Sequence, residues 1–120
     1  LGTGSQEKAL REAVLERGFK GLVEFPGWGD PKDYLPYADV VLCTSYTESW
    51  GASIVEALAA GVPVVAPNVG VAREAGACVV GRDRLSQKVL EVLQVGTCGQ
   101  LKLELLGAQE WAEAWRETLV

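Results

Sequence analysis

The sequence has no histidine, which excludes a Ser-His or Cys-His nucleophile assembled within its 120 residues and most histidine-bearing metal sites. It has no lysine- or arginine-rich tract, and its net charge is −5. The electrostatic footprint of a nucleic-acid binder is therefore missing, and a polyanion is not an expected partner. No apolar run approaches the roughly 20 residues needed to span a bilayer. Cysteine is scarce: Cys43, Cys78 and Cys98 are an odd number without zinc-type spacing, and two of them adjoin valine-rich runs. They read as reduced, mostly buried thiols of a cytosolic protein.

What is present suits one ordinary domain. An apolar fraction of 48% against 22% charged residues is enough to bury a single core at this length. Short valine-rich runs alternate with helical periodicity, the pattern of βαβ units on a largely parallel sheet. A helix is expected over residues 5–18, with Ser5 as its cap, Ala9, Leu10, Ala13 and Val14 as its apolar stripe, and Gly18 at its end. A strand over 22–25 leads into the turn-rich "PGWGD", and Asp30 then caps a short helix that starts with Pro31. "ADVVLCTS" reads as a strand buried on both faces. A helix over about 49–60 follows, closed by Gly61. The strand 64–66, a turn containing Pro67 and Gly70, a helical turn over 72–75 and the strand 77–80 come next. Beyond Gly81 the expectation is helical through "RLSQKVLEVLQ", "QLKLELL" and "AQEWAEAWRETLV", with a break at "GTCG". The whole of 1–120 is taken as one Rossmann-like α/β domain with helices on both faces of the sheet and a C-terminal helical stretch over 84–120. "LGTG" resembles the end of a strand running into a glycine turn, so the chain reads as starting in mid-fold without its first strands.

The stretch "TESWGASIVEALAAG" concentrates the chemistry. If the helix starts near Trp50, the unpaired N–H groups of Trp50, Gly51 and Ala52 point out at the carboxyl end of the preceding strand, an anion site backed by the helix dipole. Gly51 removes a side chain where a phosphate would approach. Glu48 lies just ahead of that terminus and Glu56 inside the helix. Carboxylates accept well from vicinal hydroxyls, so the spacing suits one glutamate on a sugar and one on a ribose, with a diphosphate between. The same spacing equally suits two solvated carboxylates around a helix start.

The segment "ADVVLCTSYTESWGASIVEALAAGVPVVAPNVGVAREAG" resembles the donor-binding half of GT-B retaining glycosyltransferases of group 1 (family 4), which carry a Glu, seven residues and a second Glu (E-x7-E), then an "EALAAGVPVV"-like continuation. The resemblance runs from "LGTGSQE" through "VEFPGWGDPKDYLPYADVVL" to about Val80; the tail from Gly81 matches in helical character alone. It implies a nucleotide-sugar donor and no metal or other cofactor. Glu48 would meet hydroxyls of the transferred sugar, as the candidate catalytic residue, and the backbone of Ser49, Trp50, Gly51 and Ala52 would hold the diphosphate. Glu56 would take the ribose hydroxyls. "FPGWGD" matches the nucleotide-base loop, so Trp28 and Gly29 would border the base, unless Trp28 packs on the sheet. Gly70 and Val71 match the turn beside the donor phosphates or sugar, while Arg73 and Glu74 read as a surface pair or a helix cap. The family's diphosphate-neutralising arginine and lysine would lie upstream of Leu1, and its acceptor domain has no counterpart in these residues. The expectation is thus an isolated chain that does not turn over. The resemblance places the intact enzyme in the cytoplasm, with peripheral attachment to a membrane as an option.

Two other readings compete. "GTGSQE" invites comparison with the dinucleotide fingerprint, with Glu24 near the ribose-binding acid's place, but Glu7 occupies the third glycine's position. The other is a non-catalytic, self-associating module. Trp111, Trp115 and Leu119 form an apolar stripe on the last helix, and with sheet and helix surface uncovered a homo-oligomer is expected.

Overall fold

"GVPVVAPNVG" builds the centre of the protein. In the computed structural model, which describes residues 2–96 and 99–118, the strand β2 (Val64–Ala66) is buried at every position. It pairs in parallel with β1 (Val41–Leu42) on one side and β3 (Cys78–Val79) on the other, giving the order β1-β2-β3. The register sets Val41 opposite Val64 and Val65 opposite Cys78. The ladder runs on into the flanks, where the Cys43 N–H donates to the Val65 carbonyl and the Val80 N–H to that of Ala66. Parallel strands need crossovers, supplied here by α2 (Ala52–Ala59) between β1 and β2 and α3 (Ala72–Ala75) between β2 and β3. The α4 helix (Leu85–Val95) lays Leu85 and Val92 against Val65 and Cys78. The result is an α/β fold whose parallel sheet is flanked by helices, as expected.

The crossover helices stop where glycine lets them. Gly61, at φ +78°, follows α2, and the Gly61 and Val62 N–H groups donate back to Leu58 and Ala57. This Schellman arrangement satisfies carbonyls the helix leaves open, and Val62 beyond it is buried.

Two compact units divide the chain, Leu1–Tyr37 and Ala38–Val120, with the sheet in the second. The first holds α1 (Glu7–Glu16) and two 3-10 turns, Pro31–Asp33 and Leu35–Tyr37. Asp30 caps the first of these turns as expected, its carboxylate accepting from the Lys32 N–H at 3.0 Å. Ser5 does not cap α1: Gln6 takes the capping position, with no side-chain bond.

Several expected elements differ. Residues 22–25 form no strand, because no ladder partner reaches them among the described residues; Leu22 stays 79% exposed. β1 is not buried on both faces, since Leu42 is 45% exposed, and it is an edge strand among the described residues. "QLKLELL" is not a helix. It is irregular, with a bend at Leu103; Leu101 and Leu103 are half-buried and Gln100, Lys102 and Glu104 exposed, a period of two rather than 3.6. The Lys102 N–H donates to the Ala75 carbonyl, and Gln100 passes so close to Gly76 that a Cβ there would stand 2.2 Å from the Gln100 carbonyl oxygen. The last helix, α5 (Ala108–Thr118), forms as expected and buries no residue; Glu110 reaches back to the Gly107 N–H at 2.8 Å. Leu119 lies outside the described residues, as does Cys98. Cys43 is a buried free thiol, but Cys78 is disulfide-bonded, which corrects the expectation of reduced thiols throughout.

Candidate functional site

The loop between β1 and α2, residues 43–51, leaves the sheet at the carboxyl end of β1, the edge at which open parallel sheets place ligands. It turns sharply at Gly51, whose φ of +96° is left-handed and which caps α2 without a side-chain bond. A Cβ at Gly51 would press on the Ile54 side chain at 3.3 Å. The glycine is therefore required by backbone conformation and packing, independently of any phosphate.

This cap moves the helix start by about two residues from the expected place. Ile54 and Val55 already donate to the Gly51 carbonyl, so the N–H groups at the open end belong to Ala52 and Ser53, which have no acceptor among the described residues. Trp50 and Ser49 lie in the loop ahead of the helix. Ser53 was missed by sequence reasoning; the signal was the glycine itself, read as space for a ligand rather than as a left-handed cap.

Glu48, half-buried, sits against a second glycine. A Cβ on Gly70 would come within 3.1 Å of the Glu48 Cβ and 2.2 Å of the Trp50 carbonyl oxygen. Gly70, at φ +49°, is the one residue type that fits there. The neighbouring Val71 N–H donates to the same Trp50 carbonyl at 2.9 Å, tying the turn after β2 to the loop after β1. The structure thus brings Glu48, Trp50, Gly51, Gly70 and Val71 close to one another.

Glu56 lies on the exposed stripe of α2 with Ala52 and Ser53, opposite the buried Ile54, Val55, Ala57 and Leu58. Side chains on a helix lean toward its N-terminus, so Glu56 covers the turn that ends in the open N–H groups. Sugar-type hydroxyls and an anion can be met along this stripe without a lysine. Among the described residues no group of three potential metal ligands gathers.

Trp28 and Gly29 belong to the other compact unit. Trp28 is 87% exposed. That unit has its own cleft of about 310 Å³, lined by Gly2, Gly4, Glu7, Glu24, Phe25 and others. Two carboxylates in the lining oppose a pyrophosphate. The nearby Arg11 is committed to Glu7 at 2.7 Å and to the face of Phe25 at 4.5 Å, which disfavours the dinucleotide reading of "GTGSQE". Arg73 and Glu74 are exposed on α3, and no ion pair joins them.

A second residue that sequence reasoning missed is Arg82, just after β3. Its guanidinium donates to the Ser45 and Thr44 carbonyls at 2.7 Å each and lies 3.7 Å from the centroid of the Tyr46 ring. The signal available was topological: in a parallel sheet the residues following β1 and β3 emerge at the same edge.

No helix among the described residues is long and apolar enough to cross a membrane. The family model described as "Glycosyl transferases group 1" matches residues 1–81. The chain is 36% identical over 66 residues to the lipopolysaccharide core biosynthesis glycosyltransferase LpsE of Rhizobium meliloti (strain 1021), covering 54% of this chain and 19% of that protein. It is 39% identical over 74 residues to a 2-deoxystreptamine glucosyltransferase of Streptomyces kanamyceticus, covering 58% and 19%. A 2-deoxystreptamine N-acetyl-D-glucosaminyltransferase of Niallia circulans matches at 32% over 72 residues, covering 58% and 18%. The matched stretch is thus about a fifth of the length of these relatives. The family match spans the sheet, both crossover helices and the loop that carries Glu48, and with it this chain belongs to the group 1 glycosyl transferases.

Proposed function

We propose that the loop of residues 44–51 and the start of α2 form the nucleotide-sugar donor site of a retaining glycosyltransferase, which passes a hexosyl group from a nucleoside diphosphate sugar to an acceptor hydroxyl. The observation that carries this reading is the pair of open N–H groups of Ala52 and Ser53 between Glu48 and Glu56. In this reading the diphosphate rests at the α2 terminus with the backbone of Ser49, Trp50, Gly51 and Ala52 around it, and the Gly70 and Val71 turn beside it. The helix dipole favours the negative charge that builds on the diphosphate as the sugar departs. Glu48 orients the hydroxyls of the sugar and Glu56 those of the ribose. Transfer depends on an acceptor domain closing over the donor to exclude water, so this chain alone binds the donor without turning it over.

Calorimetric titration with UDP, ADP, GDP and dTDP and their glucose conjugates tests the assignment. Glu56→Ala is expected to weaken both members of the bound pair by about tenfold, and Glu48→Ala to weaken the conjugate alone by a similar factor. Equal affinities in all three proteins, or measurable sugar transfer by this chain, would contradict the reading.

A further inference from the structure

We infer that Arg82 is a positioning residue for Glu48, a role that rests on the donor-site reading above. The loop bearing Glu48 is held at two points. On one side the Val71 N–H fixes the Trp50 carbonyl. On the other, Arg82 reaches from the turn after β3, across the carboxyl end of β2, to the loop that follows β1. Its two terminal nitrogens bind consecutive carbonyls, those of Thr44 and Ser45, and its plane lies over the Tyr46 ring. A guanidinium suits this task because it is planar, always charged and rigidly forked, so it can hold two carbonyls and stack on an aromatic face at once; an ammonium has no planar face to stack and no fixed fork to hold both carbonyls in one geometry.

Between the two fixed points lie Thr47, Glu48 and Ser49. Among the described residues no backbone hydrogen bond is made by their N–H groups. Their geometry is set by the two ends and by Gly70, which leaves room for the Glu48 Cβ. Releasing the Arg82 end would leave the Trp50 anchor and the α2 core in place while freeing the segment that aims the Glu48 carboxylate. Each terminal nitrogen of Arg82 gives one hydrogen bond to the loop, and the role inferred for it is exerted on a donor sugar through Glu48.

The test compares Arg82→Ala and Arg82→Lys with the unchanged chain in two measurements. In 15N relaxation, Arg82→Ala is expected to loosen the amides of residues 44–49 while those of β2, α2 and α4 stay rigid, with Arg82→Lys intermediate. Amides 44–49 as rigid as before would overturn the inference. In titration with the nucleoside diphosphates and glucose conjugates named above, Arg82→Ala is expected to lose about tenfold in affinity for the conjugate with little change for the bare diphosphate, as Glu48→Ala does. If Glu48→Ala shows that loss and Arg82→Ala does not, the positioning role is wrong and the donor-site reading stands. If Glu48→Ala shows no loss, the donor-site reading fails, and with it any role for Arg82 in aiming Glu48 at a sugar.

Discussion

Helices α2 and α5 resemble each other on paper and differ in the protein. Both have an apolar stripe at helical spacing. In α2 that stripe is buried, with Ile54 and Ala57 fully enclosed and Val55 and Leu58 nearly so. In α5 nothing is buried; Trp111 and Trp115 sit one turn apart with ring centroids 5.7 Å from each other, and each remains about half exposed. An amphipathic pattern states which face a helix can bury, but the covering surface must come from elsewhere in the molecule or from a partner. The α2 helix has β2 and α3 against it. The same packing that encloses its core face leaves its other face, with Ser53 and Glu56, at the surface.

The comparison breaks most severely at Gly70, the close approach on which the α2 side depends. A Cβ there meets a backbone oxygen that cannot rotate away, at a left-handed φ. Gly70→Ala is therefore expected to cost upward of about 4 kcal/mol in denaturant unfolding. Gly61, also left-handed but with open space around it, should cost about 1 kcal/mol as alanine. Equal losses at the two glycines would mean that the contact between Gly70 and Trp50 is not tight.

Next in size is the contrast between the helices themselves. Ile54→Ala should destabilise by about 3 kcal/mol, and Trp111→Ala or Trp115→Ala by no more than about 0.5 kcal/mol. If α5 is instead covered by a second copy of the chain, light scattering of the Trp111→Ala, Trp115→Ala double variant would show a lower mass than the unchanged chain. A dilution-independent monomer in both would remove self-association as the explanation of the exposed stripe.

The smallest effect concerns α4. The Lys88 ammonium hydrogen-bonds the Glu91 carboxylate and holds its pKa below the usual value. A carboxyl depressed in the folded state stabilises above its unfolded pKa, and that contribution disappears as pH falls through the folded pKa. Lys88→Ala should move the Glu91 titration, followed by carboxyl-carbon NMR, back up toward the ordinary carboxylate range. Any difference in stability between the two proteins should close in acid.

Much of the fold was legible because strong local signals agreed with the tertiary outcome. "PVVAP" gave β2 at its observed limits, "AREAG" gave α3, and Gly61 gave the end of α2. The errors arose where the answer lay in distant residues. Residues 22–25 have strand composition but no ladder to join among the described residues, and "QLKLELL" forms no helix where Gln100 passes close to Gly76 and the Lys102 N–H donates to the Ala75 carbonyl. The same division holds at the candidate site. Glu48, Gly51 and Glu56 were visible in one contiguous motif. The start of α2 at Ala52 depended on a backbone dihedral, and the Arg82 contacts join positions 37 and 38 residues apart, which no local pattern announces.

Amide shift mapping on the 15N-labelled chain, titrated with the four nucleoside diphosphate glucose conjugates, tests the donor-site proposal most directly. At least one conjugate is expected to perturb Gly51, Ala52 and Ser53 together with Gly70 and Val71, leaving α5 unchanged. Perturbation confined to α5, or none at the α2 terminus with any of the four, would contradict it.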